Sequence, residues 1–250
     1  MGSKVLRQFI TISLLVALTI ISAESAGAQD VSISFGDDGS IANRSIQLML
    51  LITVLSLVPG LAVMVTCFPF IVTVLSILRQ ALGLQQAPPN MLIISLALFL
   101  TYFVMEPVFD QSWVTGVQPL IDGDIDIETA FPMVMDPFRG FMSNRIDATT
   151  FNHLAELRPD FTVTDADIEE APLSILVPSF LLSEIERAFQ IGFLIYLPFL
   201  VIDLVVAAIL MSMGMMMVPP AVVSMPFKLA FFVVSDGWAL VSSALVRSYF

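Results

Sequence analysis

Residues 46–78 read "IQLMLLITVLSLVPGLAVMVTCFPFIVTVLSIL" and contain no Asp, Glu, Lys or Arg. A single straight helix of that length would run to about 50 Å, while the hydrocarbon core of a bilayer is about 30 Å thick. The stretch is apolar enough to enter a membrane and too long to cross it as one rod. Pro59-Gly60 and Pro69 lie inside it. Proline removes a backbone donor and disturbs the preceding turn, so the stretch is expected to form a kinked or broken helix, or two segments.

The rest of the chain repeats this pattern. Of its 250 residues, 57% are hydrophobic and only 13% are charged, about half the charged share of soluble domains. A second uncharged run covers 91–105, up to Glu106-Pro107. A third covers 188–218 and is interrupted only by Asp203, and a fourth covers 229–246 and is interrupted only by Asp236. The composition and the runs point to an all-α integral membrane protein. It should have about four hydrophobic, kinked helical segments, arranged as helical hairpins.

The net charge of −12 is concentrated in one place. Residues 110–190 hold 15 Asp and Glu against 4 Lys and Arg. Within that block Phe138, Phe141, Met142 and Ile146, then Phe151, Leu154 and Leu157, recur at helical spacing. Residues 110–187 are therefore expected to be a small, mostly helical domain inserted between the second and third segments, with Thr164 as a helix cap. Its acidity argues against nucleic acid as a partner.

The first 28 residues resemble a secretory signal. Lys4 and Arg7 precede "FITISLLVALTII" (9–21), and "AGA" (26–28) suggests cleavage between Ala28 and Gln29. The domain division that follows is 1–28, 29–109, 110–187 and 188–250. The links 77–90 and 219–228 carry Arg79 and Lys228 and no acid. Loop charge places them in the cytoplasm and the acidic domain on the far, periplasmic side.

Asp203 and Asp236 could form a structural hydrogen-bonded pair, a proton relay or a polar lock between helices. "DGDIDIE" (122–128) spaces its acids like a calcium loop. It lacks the glycine and glutamate such a loop needs, so it reads as a solvated loop. His153 reads as a helix-surface residue and Cys67 as a packed apolar one. One Cys and one His exclude a Cys/His metal site within the chain. No catalytic or phosphate-binding motif is present, so no enzyme activity and no cofactor are expected.

"MSMGMMM" (211–217) places Met211, Met213, Met215, Met216 and Met217 around Gly214. Methionine on every face of one turn suits a space that needs adaptable apolar cover, such as a pore that seals when empty and moulds around varied cargo.

Two long blocks carry a family resemblance. "PFIVTVLSILRQALGLQQAPPNMLIISLALFLTYFVMEPV" (69–108) and "LSEIERAFQIGFLIYLPFLVIDLVVAAILMSMGMMMVPPAVVSMPFKLAFFVVSDGWALV" (182–241) resemble the FliP family of flagellar type III export-gate proteins. The signal-like start and the acidic insertion resemble the flagellar branch more than the equivalent subunits of virulence-type injectisomes. The resemblance implies a multi-pass protein of the bacterial inner membrane, within the flagellar basal body. It further implies a ring of about five copies with FliQ and FliR, among other export-apparatus membrane proteins, that passes unfolded flagellar subunits. It also implies that Met215, Met216 and Met217 form a gasket around the closed channel. A small proton or ion transporter using Asp203 and Asp236, and a purely structural scaffold, are the alternative readings.

Overall fold

The structure is a computed structural model. It describes residues 41–84, 88–158, 168–215 and 217–250, with side chains from 45 onward. The expected signal segment with Ala28 and Gln29, the Thr164 cap and Met216 lie outside the described residues. The described residues divide at Thr53 into two units, the second running from Val54 to Phe250.

Every regular element among the described residues is helical. The long helices are α1 (Ile41–Met64), α2 (Phe68–Ala81), α3 (Asn90–Ser112), α7 (Leu173–Ser212), α8 (Pro220–Val234) and α9 (Gly237–Arg247). Between α3 and α7 lie a π-helical turn (Trp113–Val117), α4 (Gln118–Asp122), α5 (Ile127–Ser143), α6 (Ala148–Glu156) and a 3-10 turn (Ile168–Glu170).

The stretch 46–78 breaks, but not at Pro59-Gly60. Pro59 lies inside α1, and the break falls at 65–67, just ahead of Pro69 in the first turn of α2. A first-turn proline gives up no intrahelical hydrogen bond, so Pro69 starts a helix at no cost. Ser45–Met64 is uncharged and none of its best apolar window is buried. The short helix α2 behaves in the opposite way. Phe70, Ile71, Val74, Leu75 and Leu78 are fully buried and form the heart of the core, where α2 packs on α3 and α7. Gly192 of α7 allows the close approach, because a Cβ there would lie 2.4 Å from Ile77 Cδ1.

Three helical stretches are long and apolar enough to cross a membrane: Ser45–Met64, Asn90–Asp122 and Leu173–Ser212. A fourth span would be the pair α8 and α9, bent by 62° at Ser235-Asp236. Two of these helices outrun their apolar cores. The helix that starts at Asn90 passes through Glu106 and Pro107, and α7 begins 15 residues ahead of the uncharged run. The acidic block is thus continuous in backbone with the membrane helices on both sides.

Within the acidic block α5 carries two internal prolines, Pro132 and Pro137. Pro137 has no N–H to give the Met133 carbonyl, and the Thr115 hydroxyl donates to that oxygen instead, at 3.3 Å. Ser112 donates to the Val134 carbonyl at 2.8 Å. Gly116 of the π turn lies against Val134 so closely that a Cβ would be 2.8 Å from its backbone nitrogen. In "DGDIDIE", Gly123 closes α4 in the left-handed conformation (φ 81°) and Asp126 caps α5, accepting from the Thr129 N–H at 3.1 Å. Asp147 caps α6 in the same way, accepting from the Thr150 N–H at 3.0 Å. His153 is exposed on α6, and Cys67 is buried at the start of α2.

Candidate functional site

The methionine-rich stretch is the end of α7 and the turn into α8. Its form follows from Gly214, whose φ of 74° reverses the helix direction. The Gly214 N–H donates to the Met211 carbonyl and the Met215 N–H to the Leu210 carbonyl, each at 3.0 Å. This is a Schellman ending, which satisfies carbonyls that α7 would otherwise leave open. Pro219 and Pro220 then start α8, where a missing N–H costs nothing. Met211, Met213, Met215 and Met217 are all exposed, Met217 almost completely at 98%. Met213 and Met215 also line a groove of about 550 Å³ between α7 and α8, whose other walls, including Val205, Ile209, Val223 and Phe227, are apolar throughout.

The hairpin that presents this turn is held by an ion pair. Lys228 of α8 is 4% exposed, and its ammonium donates to Asp203 Oδ2 of α7 at 2.6 Å. The Ser224 hydroxyl, one turn earlier on the same face of α8, donates to Asp203 Oδ1 at 2.5 Å. Lys228 also donates to the Ala81 carbonyl at 3.0 Å. One lysine therefore joins α7, α8 and the last turn of α2. A cation at the carbonyl end of a helix is also favoured by the helix dipole.

Asp203 and Asp236 are not partners. Asp236 sits at the bend between α8 and α9, exposed, with a left-handed backbone (φ 49°) and no side-chain capping bond. Gly237 follows it because the chain passes over Phe232: a Cβ at 237 would lie 2.2 Å from that ring.

Sequence reasoning missed both the role of Lys228 and a second polar cluster. Lys228 counted only as a loop charge, yet it lies four residues after Ser224 on one helical face, the spacing that lets both reach a single carboxylate. The second cluster centres on Glu184, fully buried in α7. Arg145, from the turn between α5 and α6, donates through Nε to Glu184 Oε1 at 2.9 Å and through Nη1 to the Ser248 carbonyl at 2.7 Å. The Tyr249 hydroxyl donates to Glu184 Oε2, and the guanidinium lies 4.1 Å from the centre of the Tyr249 ring. Glu184 follows the uncharged residues 171–183 and opens the short charged patch Glu184, Glu186 and Arg187, and that patch inside a long apolar stretch was the available signal. Among the described residues no cluster of His, Cys, Asp and Glu is suited to a metal ion.

The sequence pattern of the FliP family matches residues 51–245, more than three quarters of the chain, including both helical blocks and the methionine turn. The chain belongs to the FliP family. It is 46% identical over 249 residues to the flagellar biosynthetic protein FliP of Caulobacter vibrioides, covering 98% of this chain and 92% of that one. It is 45% identical to the flagellar biosynthetic protein FliP of Agrobacterium fabrum, covering 98% of this chain and 99% of the relative. Over 223 residues it is 41% identical to the FliP of Bacillus subtilis, with 88% and 98% coverage. The FliP family is thus the frame for both polar clusters and the methionine turn.

Proposed function

We infer that this FliP-family chain is a core subunit of the flagellar protein-export gate, a membrane component of the apparatus that passes unfolded flagellar subunits during assembly. Its membership in the FliP family over residues 51–245 carries the reading. The exposed methionine turn supplies the part that would touch cargo. Met211, Met213, Met215 and Met217 project from a hairpin fixed by Lys228 and Asp203, and Met216 completes the set in sequence. Soft side chains on a rigid mount suit a gasket that closes on itself and yields to a passing chain. Asp203 is best read as a lock, since its carboxylate is committed to Lys228 and Ser224.

Several copies, about five, are proposed to ring the channel together with FliQ and FliR, with the acidic residues 110–187 in the periplasm. The wide apolar faces of α1 and α7 support this, because lipid or neighbouring subunits must cover them. Electron microscopy of the complex purified through this chain tests the reading. A ring with a central closed constriction at 211–217 is the expected result. A chain that purifies without partners and shows no central density would overturn it.

A further inference from the structure

Helix α9 is thinly packed along its length and tightly held just beyond its end. Of its 11 residues only Gly237, Val241 and Leu245 are buried. Trp238, Leu240 and Ala244 on its other side are exposed. At its start the chain bends by 62° from α8. The hydrogen-bond ladder changes hands there. The Asp236 N–H donates to the Val233 carbonyl of α8 at 3.1 Å, and the Asp236 carbonyl accepts from the Leu240 N–H of α9 at 3.0 Å. Asp236 itself is left-handed, at φ 49°, and makes no side-chain capping bond. A residue at the end of an element, with its backbone away from both helical wells, is the kind that absorbs a hinge motion.

The other end is fixed by Tyr249. Its N–H donates to the Val246 carbonyl at 3.0 Å, which ties it to the last turn of α9. Its ring meets Phe70 of α2 edge-on at 5.6 Å and stacks on Phe141 of α5 at 5.9 Å. Its hydroxyl donates to Glu184 of α7, and the Arg145 guanidinium covers its face at 4.1 Å. Arg145 also holds the neighbouring Ser248 carbonyl at 2.7 Å. A hydrogen bond to a carboxylate and a cation over the ring are both strong when shielded from water. The network is nevertheless incomplete, because Arg145 Nη2 is buried without a hydrogen-bond partner among the described residues. Opening would let water reach that group, so release is opposed less than it would be from a fully paired cluster.

We propose that α9 is a hinged arm, which turns at Asp236 and is latched shut by Tyr249 in its seat between Phe70, Phe141, Arg145 and Glu184. Release frees Val241 and Leu245 to leave the core while α2 and α7 stay packed on each other. The device belongs to the single chain and does not rest on the export reading.

Hydrogen exchange of the full-length protein in detergent, followed by mass spectrometry, provides the test. In the wild-type protein residues 238–247 should exchange faster than the buried residues 70–78, as a separately opening unit does. Tyr249→Ala should speed exchange of 238–247 about tenfold, the effect of losing a hydrogen bond to a charged group, and leave 70–78 unchanged. Tyr249→Phe keeps the ring contacts and should give a smaller increase. Equal protection of 238–247 and 70–78 in the wild-type protein would overturn the arm without reference to any variant. Unchanged exchange of 238–247 in Tyr249→Ala would remove the latch. A Tyr249→Ala protein that loses protection equally in both segments would make Tyr249 an ordinary core residue, and the proposal would fail.

Discussion

Lys228 is the residue on which the local arrangement turns. A lysine 4% exposed among apolar helices must keep its charge partnered or lose it, and here Asp203 and the Ala81 carbonyl do the partnering. Removing one member of a buried pair strands the other at a cost of about 3–5 kcal/mol, while replacing both by apolar residues is often neutral. Asp203→Ala should therefore abolish stable assembly and swimming. The double change Asp203→Leu with Lys228→Met should recover folding, as read by thermal unfolding of the purified protein. A single Asp203→Ala variant as stable as wild type would show that the pair fixes nothing. Solvent-facing acids act differently. The Thr150 backbone N–H, and then its hydroxyl, hold Asp147 below the usual carboxylate range, and the Thr129 hydroxyl and backbone N–H do the same for Asp126. Both caps favour the ionised form, so their contribution is complete above the ordinary carboxylate pKa, near 4, and is lost as pH falls through the lowered folded value. Asp147→Asn keeps a capping oxygen that does not titrate. Its helical circular dichroism should then depend less on pH at the acid end than that of wild type, and an unchanged acid slope would count against the cap.

At the scale of elements, the apolar runs were legible because a bilayer demands about 20 uncharged residues in succession. Their ends were not. Charge marks the end of an apolar run, but a helix continues through charged residues whenever its backbone bonds are satisfied. Thus α7 begins at Leu173, before Glu184, Glu186 and Arg187, and the helix from Asn90 ignores Glu106 and Pro107. Lys228 looked like part of a link for the same reason, although α8 already starts at Pro220. The break in 46–78 was legible, yet its place was set by Pro69 as a helix starter and not by Pro59-Gly60 as a breaker. The glycine in the methionine stretch signalled a turn, and its left-handed backbone explains why glycine stands there. A Cβ at 214 would meet nothing within 4 Å, so Gly214→Ala is opposed by backbone conformation alone. That conformation costs an ordinary residue about 1–2 kcal/mol. Gly214→Ala should lower the stability of the α7–α8 hairpin by this amount, and Gly214→Asn by less. Hydrogen exchange at 210–219 measures it, and equal protection in Ala and Gly forms would argue against the Schellman ending.

For the molecule as a whole, a single chain leaves too much apolar surface open to stand alone in water. The best apolar window of Leu173–Ser212 is only 11% buried. Asp236 is exposed at a bend between two apolar helices, where bare lipid would leave both its carboxylate and the interrupted backbone unsatisfied. Neighbouring subunits or a wet cavity resolve both difficulties, which is what a ring around an aqueous path provides. In the proposed ring the methionine turn would act through its copies. If Met215, Met216 and Met217 meet their counterparts across the channel, truncating all three to Ala removes that bulk from every subunit together. The hairpin beneath is held by Lys228, Asp203 and Gly214, none of which is touched, so the fold and the assembly should persist. The expected phenotype is a complex that forms normally and leaks ions and small solutes, with export reduced less than the seal. Single changes to Leu should be mild, since the volume is nearly conserved. Conductance of membranes holding the complex decides it: a triple-Ala complex as tight as wild type would mean that these methionines cover neighbouring helices and close nothing.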